Sequence, residues 1–91
     1  MDETDDIRSP AREDAATEAA ILEHLLALHP GRLTFHELLR EIAEDPGDFA
    51  QRDAVERGVR DLVGAGLLHR SEGFVQPSRA ALRFDELLCS G

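Results

Sequence analysis

Residues 50–61 hold the side chains of this chain that are best suited to contact another macromolecule. Four of them end in groups that donate or accept several hydrogen bonds: Gln51, Arg52, Arg57 and Arg60. Arginine can bind guanine and glutamine can bind adenine through paired hydrogen bonds in the major groove of DNA. The residue types therefore include those needed to recognise duplex DNA.

Aspartates in the same segment indicate an alternative. Asp53, Arg57 and Asp61 are spaced i, i+4, i+8, so each aspartate can form an ion pair with Arg57 along one helix. Such a face is nearly neutral and is typical of a solvated helix on a protein-binding domain. A continuous positive patch would favour DNA as the partner, whereas alternating signs would favour a protein.

Patterns for catalysis or metal binding are weak in this sequence. His24 and His29 are five residues apart, which is not the spacing that places two metal ligands on one helix face. The single cysteine, Cys89, can form neither an internal disulfide nor a thiolate cluster. A row of carboxylates over residues 37–44 has no neighbour that would raise a pKa for acid–base work. We therefore expect no enzyme activity, no cofactor and no metal.

The whole chain is acidic, with 91 residues and a net charge of −9. Residues 1–14 hold six carboxylates and two arginines, and residues 15–91 hold thirteen carboxylates and eight arginines. This bulk charge repels nucleic acid, so DNA binding would need a local patch. The acidic start does not resemble a secretory signal and no apolar run exceeds four residues. We expect a cytoplasmic protein with no membrane partner.

Apolar spacing divides the chain into a tail and one domain. Residues 1–14 are highly charged, and we expect a disordered tail there, followed by a domain over residues 15–91. Three apolar stripes at helical spacing, around Leu25, Leu38 and Val59, predict three helices. Each of these helices is followed by proline or glycine, which end helices.

Polar residues indicate where the second and third helices begin. Thr34 and Glu37 form a capping box, and Asp48 with Gln51 forms a similar pair. The Thr34 hydroxyl could instead donate to a phosphate, because a helix N-terminus favours an anion, but its capping role already explains it. Gly58 lies inside the third helix, where we expect it to allow a close approach of the second helix.

The last third of the chain predicts a hairpin and a final helix. Residues 67–70 and 74–76 have the composition of short strands, and the turn of residues 71–73 contains glycine. Ser78 can cap the helix that follows. We expect that helix to bury its apolar residues, which are Ala81, Leu82, Phe84, Leu87 and Leu88.

This order of elements resembles the winged helix-turn-helix family. The residues that carry the resemblance are 33–39 and 59–70, where a helix ends in Ala65-Gly66-Leu67-Leu68 and continues into a strand. The resemblance covers roughly residues 15–88. It implies a mainly helical, small α+β winged helix-turn-helix domain with three helices, a two-stranded β-hairpin wing and a C-terminal helix.

The resemblance also implies a function and the residues that perform it. The third helix would enter the major groove of double-stranded DNA, with Gln51, Arg52, Arg57 and Arg60 as the reading residues. In the wing, Arg70 would contact a phosphate, although an ordinary exposed strand residue is the alternative. These roles are those of a transcriptional regulator.

Two further expectations concern protein partners. Because one such module buries too little surface for tight specific binding, the resemblance implies a homodimer. The C-terminal helix is the natural dimer surface, although it could equally complete the core of the monomer. The alternative function is that of an acidic winged-helix adaptor, which binds another protein and no DNA.

Overall fold

The computed structural model describes residues 10–89, which form four helices and three short strands. The helices are α1 (Pro10–Leu28), α2 (Phe35–Ile42), α3 (Phe49–Gly64) and α4 (Arg79–Cys89), and the strands are β1 (Leu33–Thr34), β2 (Leu68–Ser71) and β3 (Phe74–Pro77). A small, mainly helical α+β domain is thereby confirmed. α1 begins before the predicted domain start at residue 15, and residues 1–9 of the predicted tail lie outside the described residues.

The sheet has three antiparallel strands in the order β1-β3-β2, so the prediction of a two-stranded hairpin is wrong. In the additional strand, Leu33 pairs with Val75 and Thr34 pairs with Phe74. A strand of two residues is too short to show an alternating pattern, and its partner lies far along the chain. The periodicity of the sequence therefore could not reveal it.

The turn between β2 and β3 consists of two residues rather than the predicted three. Glu72 and Gly73 have φ values of 54° and 84°, the positive sign that a type I′ hairpin turn requires at both central positions. Ser71 pairs with Phe74, and Leu68 pairs with Pro77 at the other end. Pro77 is the last residue of β3.

The hydrophobic core lies between α1, α2, α3 and the sheet. Its buried members are Ile21, Leu25, Leu38, Leu39, Val55, Val59, Leu62, Leu68 and Val75. The apolar stripes of the first three helices are therefore confirmed as their buried faces. Leu28 in the stripe of α1 and Val63 in the stripe of α3 are exceptions, because 39% and 37% of their surfaces are exposed.

Two helices of the core approach each other closely at Gly58, which is buried. A Cβ atom at this position would lie 2.9 Å from Cδ1 of Ile21 and 3.6 Å from Cγ2 of Thr17. The expected close approach is present, but the helix that approaches is α1 and not α2. A pattern within α3 identifies the buried face of that helix and cannot identify its neighbour.

The start of α2 follows the predicted capping box. The Thr34 hydroxyl accepts a hydrogen bond from the Glu37 N–H at 3.1 Å, and Oε1 of Glu37 accepts one from the Thr34 N–H at 2.9 Å. Leu33 and Leu38, on either side of the cap, both contact the core. These contacts establish where β1 ends and α2 begins.

The final helix, α4, is anchored at its start but leaves much of its apolar surface exposed. The Ser78 hydroxyl accepts from the Ala81 N–H at 3.1 Å, which confirms the predicted cap. Ala81 is buried and Leu82 is half-buried. The prediction that the helix buries its other three large apolar residues is wrong: Phe84, Leu87 and Leu88 are 62%, 57% and 67% exposed. Within the described chain α4 packs mainly on β3, so its outer face has no core to join.

Candidate nucleic-acid interface

The six residues predicted to contact DNA fall into three groups in the structure. Gln51 and Arg57 form side-chain hydrogen bonds within the chain, and Thr34 caps a helix. Arg52, Arg60 and Arg70 are exposed. These three arginines form no ion pair with the other described residues, so their guanidinium groups are the most accessible to a partner.

Arg57 connects α3 to α1. Its Nη2 donates to Oδ1 of Asp14 at 3.1 Å, and its Nη1 donates to Oδ2 of Asp53. The hydrogen bond to Asp14 and the negative charge of Asp14 raise the pKa of Arg57. The ion pair with Asp53 was predicted, whereas Asp14 lies in the segment assigned to the tail. A base or phosphate would therefore compete with two carboxylates for the Arg57 guanidinium.

Three carboxylates, those of Asp14, Glu18 and Asp61, lie close together where α1 packs on α3. Desolvation by burial raises the pKa of Glu18, and the charges of Asp61 and Asp14 raise it further. Asp61, which the spacing suggested as a second partner of Arg57, thus interacts with Glu18 of α1. On this side of α3, Arg57 and Asp61 thus interact with carboxylates of α1, which makes it a poor surface for the phosphates of DNA.

The raised pKa of Glu18 predicts a pH-dependent stability. A carboxyl group whose pKa is higher in the folded state opposes folding when ionised. This penalty shrinks as the pH falls below the folded-state pKa and is gone below the unfolded-state pKa. We therefore expect Glu18→Gln to raise the free energy of unfolding by roughly 0.5 kcal/mol at neutral pH. The gain should shrink towards about pH 4.

Urea unfolding of the wild type and of Glu18→Gln, at neutral pH and at about pH 4, measures this gain in the free energy of unfolding. Glu23→Gln is the matched control, because Glu23 is an exposed glutamate of the same helix. A gain for Glu18→Gln that is the same at both pH values, or equal to that of the control, would contradict the expectation.

Gln51 stabilises the loop between α2 and α3. Its Oε1 accepts from the Asp45 N–H at 3.0 Å, and its Nε2 donates to Oδ2 of Asp48 at 3.4 Å. Asp48 caps α3 as predicted, since its Oδ1 accepts from the Ala50 N–H at 2.8 Å. The Gln51 amide, however, bonds the N–H of Asp45 rather than that of Asp48. Contact with adenine would require it to leave this loop.

Arg60 of α3 and Arg70 of β2 line one shallow groove, which we call the α3–wing groove. Its lining residues are Glu56, Arg60, Val63 and Arg70, and its volume is about 210 Å³. The Arg70 guanidinium carbon lies 5.4 Å from the ring centroid of Phe35 at the start of α2, which is a cation–π contact. Neither arginine forms an ion pair with another residue of the described chain.

Charges on the exposed surface of α3 and the wing alternate in sign. The charged side chains exposed there are Arg52, Asp53, Glu56, Arg60, Asp61, Arg70 and Glu72. Three are positive and four are negative, so the surface has no continuous positive patch. This is the pattern expected for a protein partner.

Two features of this region were not anticipated from the sequence. The Arg32 guanidinium carbon lies 4.5 Å from the ring centroid of Phe74, and Arg70 packs on Phe35 in a similar way. Both contacts join residues that are distant in the chain, so no local pattern indicates them. They depend on the pairing of β1 with β3.

Residues 10–89 were also searched for a metal site and for a membrane-spanning helix. Within that range no group of three or more histidine, cysteine, aspartate or glutamate side chains is arranged to hold a metal ion. None of the helices there is both long enough and apolar enough to cross a bilayer.

Comparisons with known proteins give no match to a family model, to a curated protein or to a solved structure. The α3–wing groove and the exposed face of α4 are therefore the features from which a function can be argued.

Proposed function

We propose that this chain is a winged-helix protein-interaction module that binds its partner in the α3–wing groove. Two features support the winged-helix architecture: a short Pro-Gly loop joins α2 to α3, and the β2–β3 hairpin follows α3 and contacts it. The groove lies between the helix and the hairpin, which are the two elements that such a domain presents to its partner.

The observation that carries this proposal is the alternation of charge around the groove. The phosphates of DNA form a continuous line of negative charge, so each carboxylate on the contact surface weakens binding. Protein interfaces instead combine both signs of charge with apolar and arginine contacts. The groove has this mixture, since Glu56 and Val63 lie beside Arg60 and Arg70.

The groove also indicates the chemistry of the partner. Arg60 and Arg70 come from different elements, and guanidinium groups bind carboxylates through paired hydrogen bonds. Val63, at 37% exposure, provides an apolar contact beside them. The partner segment that fits is an acidic residue followed or preceded by an apolar one.

Selection from a random peptide library tests this proposal directly. The wild-type chain is the bait, and the double variant Arg60→Ala/Arg70→Ala is used for counter-selection. We expect the selected peptides to share an acidic residue next to an apolar residue and to bind the double variant at least about tenfold more weakly, a loss of 1.4 kcal/mol.

Arg40→Ala is the matched control, because Arg40 is an exposed arginine of α2 outside the groove. It should bind the selected peptides as the wild type does. Peptides that bind the wild type and the double variant equally would contradict the proposal.

A DNA-binding transcriptional regulator is the second candidate. It is favoured by the convergence of Arg60 and Arg70 in one groove and by the exposure of Arg52 near the start of the same helix. The DNA-contacting set then reduces to these three arginines, because Gln51 and Arg57 are engaged within the chain.

Titration of the isotope-labelled chain with duplex DNA at about 50 mM salt separates the two candidates. A regulator should show amide shifts confined to residues 50–61 and the wing. Its affinity should fall with salt at a logarithmic slope of about −3, because three arginines release about three counterions. Absence of shifts would exclude the regulator and leave the protein-interaction proposal.

A further inference from the structure

α4 presents a continuous apolar stripe to the outside of the domain. Ala80, Phe84 and Leu87 are separated by four and three residues, and Leu88 is adjacent to them. This is the spacing of the seam between two packed helices. We define these four residues as the α4 stripe. Phe84, Leu87 and Leu88 are each more than half exposed, and the side of α4 that contains Ala81 faces β3.

The stripe belongs to a helix whose start is held by hydrogen bonds to the rest of the domain. The Ser78 N–H donates to the Leu67 carbonyl at 2.9 Å, and the Ser78 hydroxyl donates to the Gly66 carbonyl at 2.6 Å. Together with buried Ala81, these bonds tie the start of α4 to the loop after α3. Apolar surface presented by an anchored helix marks an interaction site, because such a helix cannot simply rotate the surface inwards.

The charges of α4 are divided between its two halves. Arg79 and Arg83 lie in the first half, and Asp85 and Glu86 lie in the second. Two copies of α4 packed antiparallel would place the basic half of each beside the acidic half of the other, whereas a parallel pair would place like charges together. Nη1 of Arg83 lies 3.2 Å from Oε1 of Glu86 in its own helix, and both side chains are about two-thirds exposed. Each can therefore contact a neighbouring chain.

We infer that the α4 stripe is a dimer interface, in which two copies of this chain pack their α4 helices antiparallel about a two-fold axis. A two-fold contact requires a surface that is complementary to itself. The apolar seam and the opposite charges of the two helix halves meet this requirement.

Sedimentation equilibrium of the full chain from about 10 μM to about 1 mM measures the dimer dissociation constant. We expect Leu88→Glu to raise this constant about 100-fold, because the substitution occurs twice in a symmetric dimer and each copy weakens it about tenfold. Since Leu88 is exposed, circular dichroism of the dilute variant should show an unchanged helical content.

Phe49→Glu is the matched control, since Phe49 is 83% exposed and lies in α3, outside the stripe. It should leave the dissociation constant unchanged. A wild-type chain that remains monomeric at the highest concentration would overturn the inference. A dimer that is insensitive to Leu88→Glu would also overturn it.

Charge exchange tests the electrostatic part of the same interface. Arg83→Glu and Glu86→Arg should each weaken self-association, and an equimolar mixture of the two variants should restore a dimer that contains one copy of each. A mixture that stays monomeric would overturn the role assigned to these charges.

Cys89 reports the relative direction of the two helices. In an antiparallel pair the two Cys89 residues lie at opposite ends, because each helical residue advances about 1.5 Å along the axis. Mild oxidation should therefore leave the dimer without a disulfide between chains. Rapid formation of a Cys89–Cys89 disulfide would overturn the antiparallel arrangement.

Discussion

Gly58→Leu is expected to lower the free energy of unfolding by about 1–3 kcal/mol, the usual cost of overpacking a core. A Cβ atom at residue 58 alone would lie 2.9 Å from Cδ1 of Ile21, and Cγ of Glu18 would be 3.7 Å away. A leucine side chain extends further and must push α1 away from α3. Leucine also favours the helix over glycine by roughly 0.8–1 kcal/mol, which offsets only part of the loss.

Gly64→Leu is the matched control for this prediction. Gly64 lies in the same helix, and apart from the adjacent residues and the nearby backbone of α3 no atom lies within 4 Å of the Cβ that a substitution would add. We expect it to be neutral or to stabilise the fold by at most about 1 kcal/mol. Urea unfolding of both variants provides the comparison. Equal destabilisation by the two substitutions would show that α1 does not approach α3 at residue 58.

Thr34→Ala is expected to lower the free energy of unfolding by about 1 kcal/mol, as the loss of a helix cap usually does. The Glu37 N–H loses its acceptor, which is the Thr34 hydroxyl at 3.1 Å. Thr34 also ends β1, so the loss affects the junction between the sheet and α2. The midpoint of denaturant unfolding measures the change.

Thr34→Ser is the control, because serine retains the hydroxyl and is an equally good cap. It should retain most of the stability that alanine removes. An unchanged midpoint for Thr34→Ala would mean that the capping box contributes nothing to the fold. Equal losses for serine and alanine would attribute the effect to the methyl group of threonine rather than to the cap.

The two proposals about function are independent and can be combined. A dimer formed through α4 would carry two α3–wing grooves, one for each chain. A partner with two acidic segments could then occupy both grooves, and the second contact would form at a raised effective concentration. A dimeric regulator would instead offer Arg52, Arg60 and Arg70 twice to DNA. The DNA titration described above distinguishes these cases.

Local sequence patterns correctly predicted the ends and the buried faces of the helices, because these depend on short-range interactions. The capping box at Thr34, the cap at Asp48 and Gly66 after α3 act on backbone groups within four residues. The apolar stripes around Leu25, Leu38 and Val59 follow from the helical repeat itself. These features are encoded by neighbouring residues and can therefore be inferred without knowing how the chain packs.

Contacts between distant residues were decided by the tertiary structure alone. Leu33 becomes part of a strand only because Val75 lies beside it, and Gly58 approaches α1 rather than α2. The sequence places Arg57 on the predicted DNA-contacting face, whereas in the fold its guanidinium lies 3.1 Å from the carboxylate of Asp14 of α1. The packing of the helices therefore reduced the number of arginines that are open to contact with DNA.

The apolar stripe of α4 likewise has one property that the sequence determines and another that only the tertiary structure decides. The sequence alone established that α4 has an apolar side, because its residues repeat with helical spacing. It could not establish what that side contacts, since the pattern is the same for a helix that completes its own core and for one that meets another chain. The packing of α4 on β3 shows which residues are covered. It buries Ala81 and leaves Phe84, Leu87 and Leu88 exposed. Helical periodicity depends on the chemistry of neighbouring residues, whereas burial depends on which surfaces the whole fold brings together.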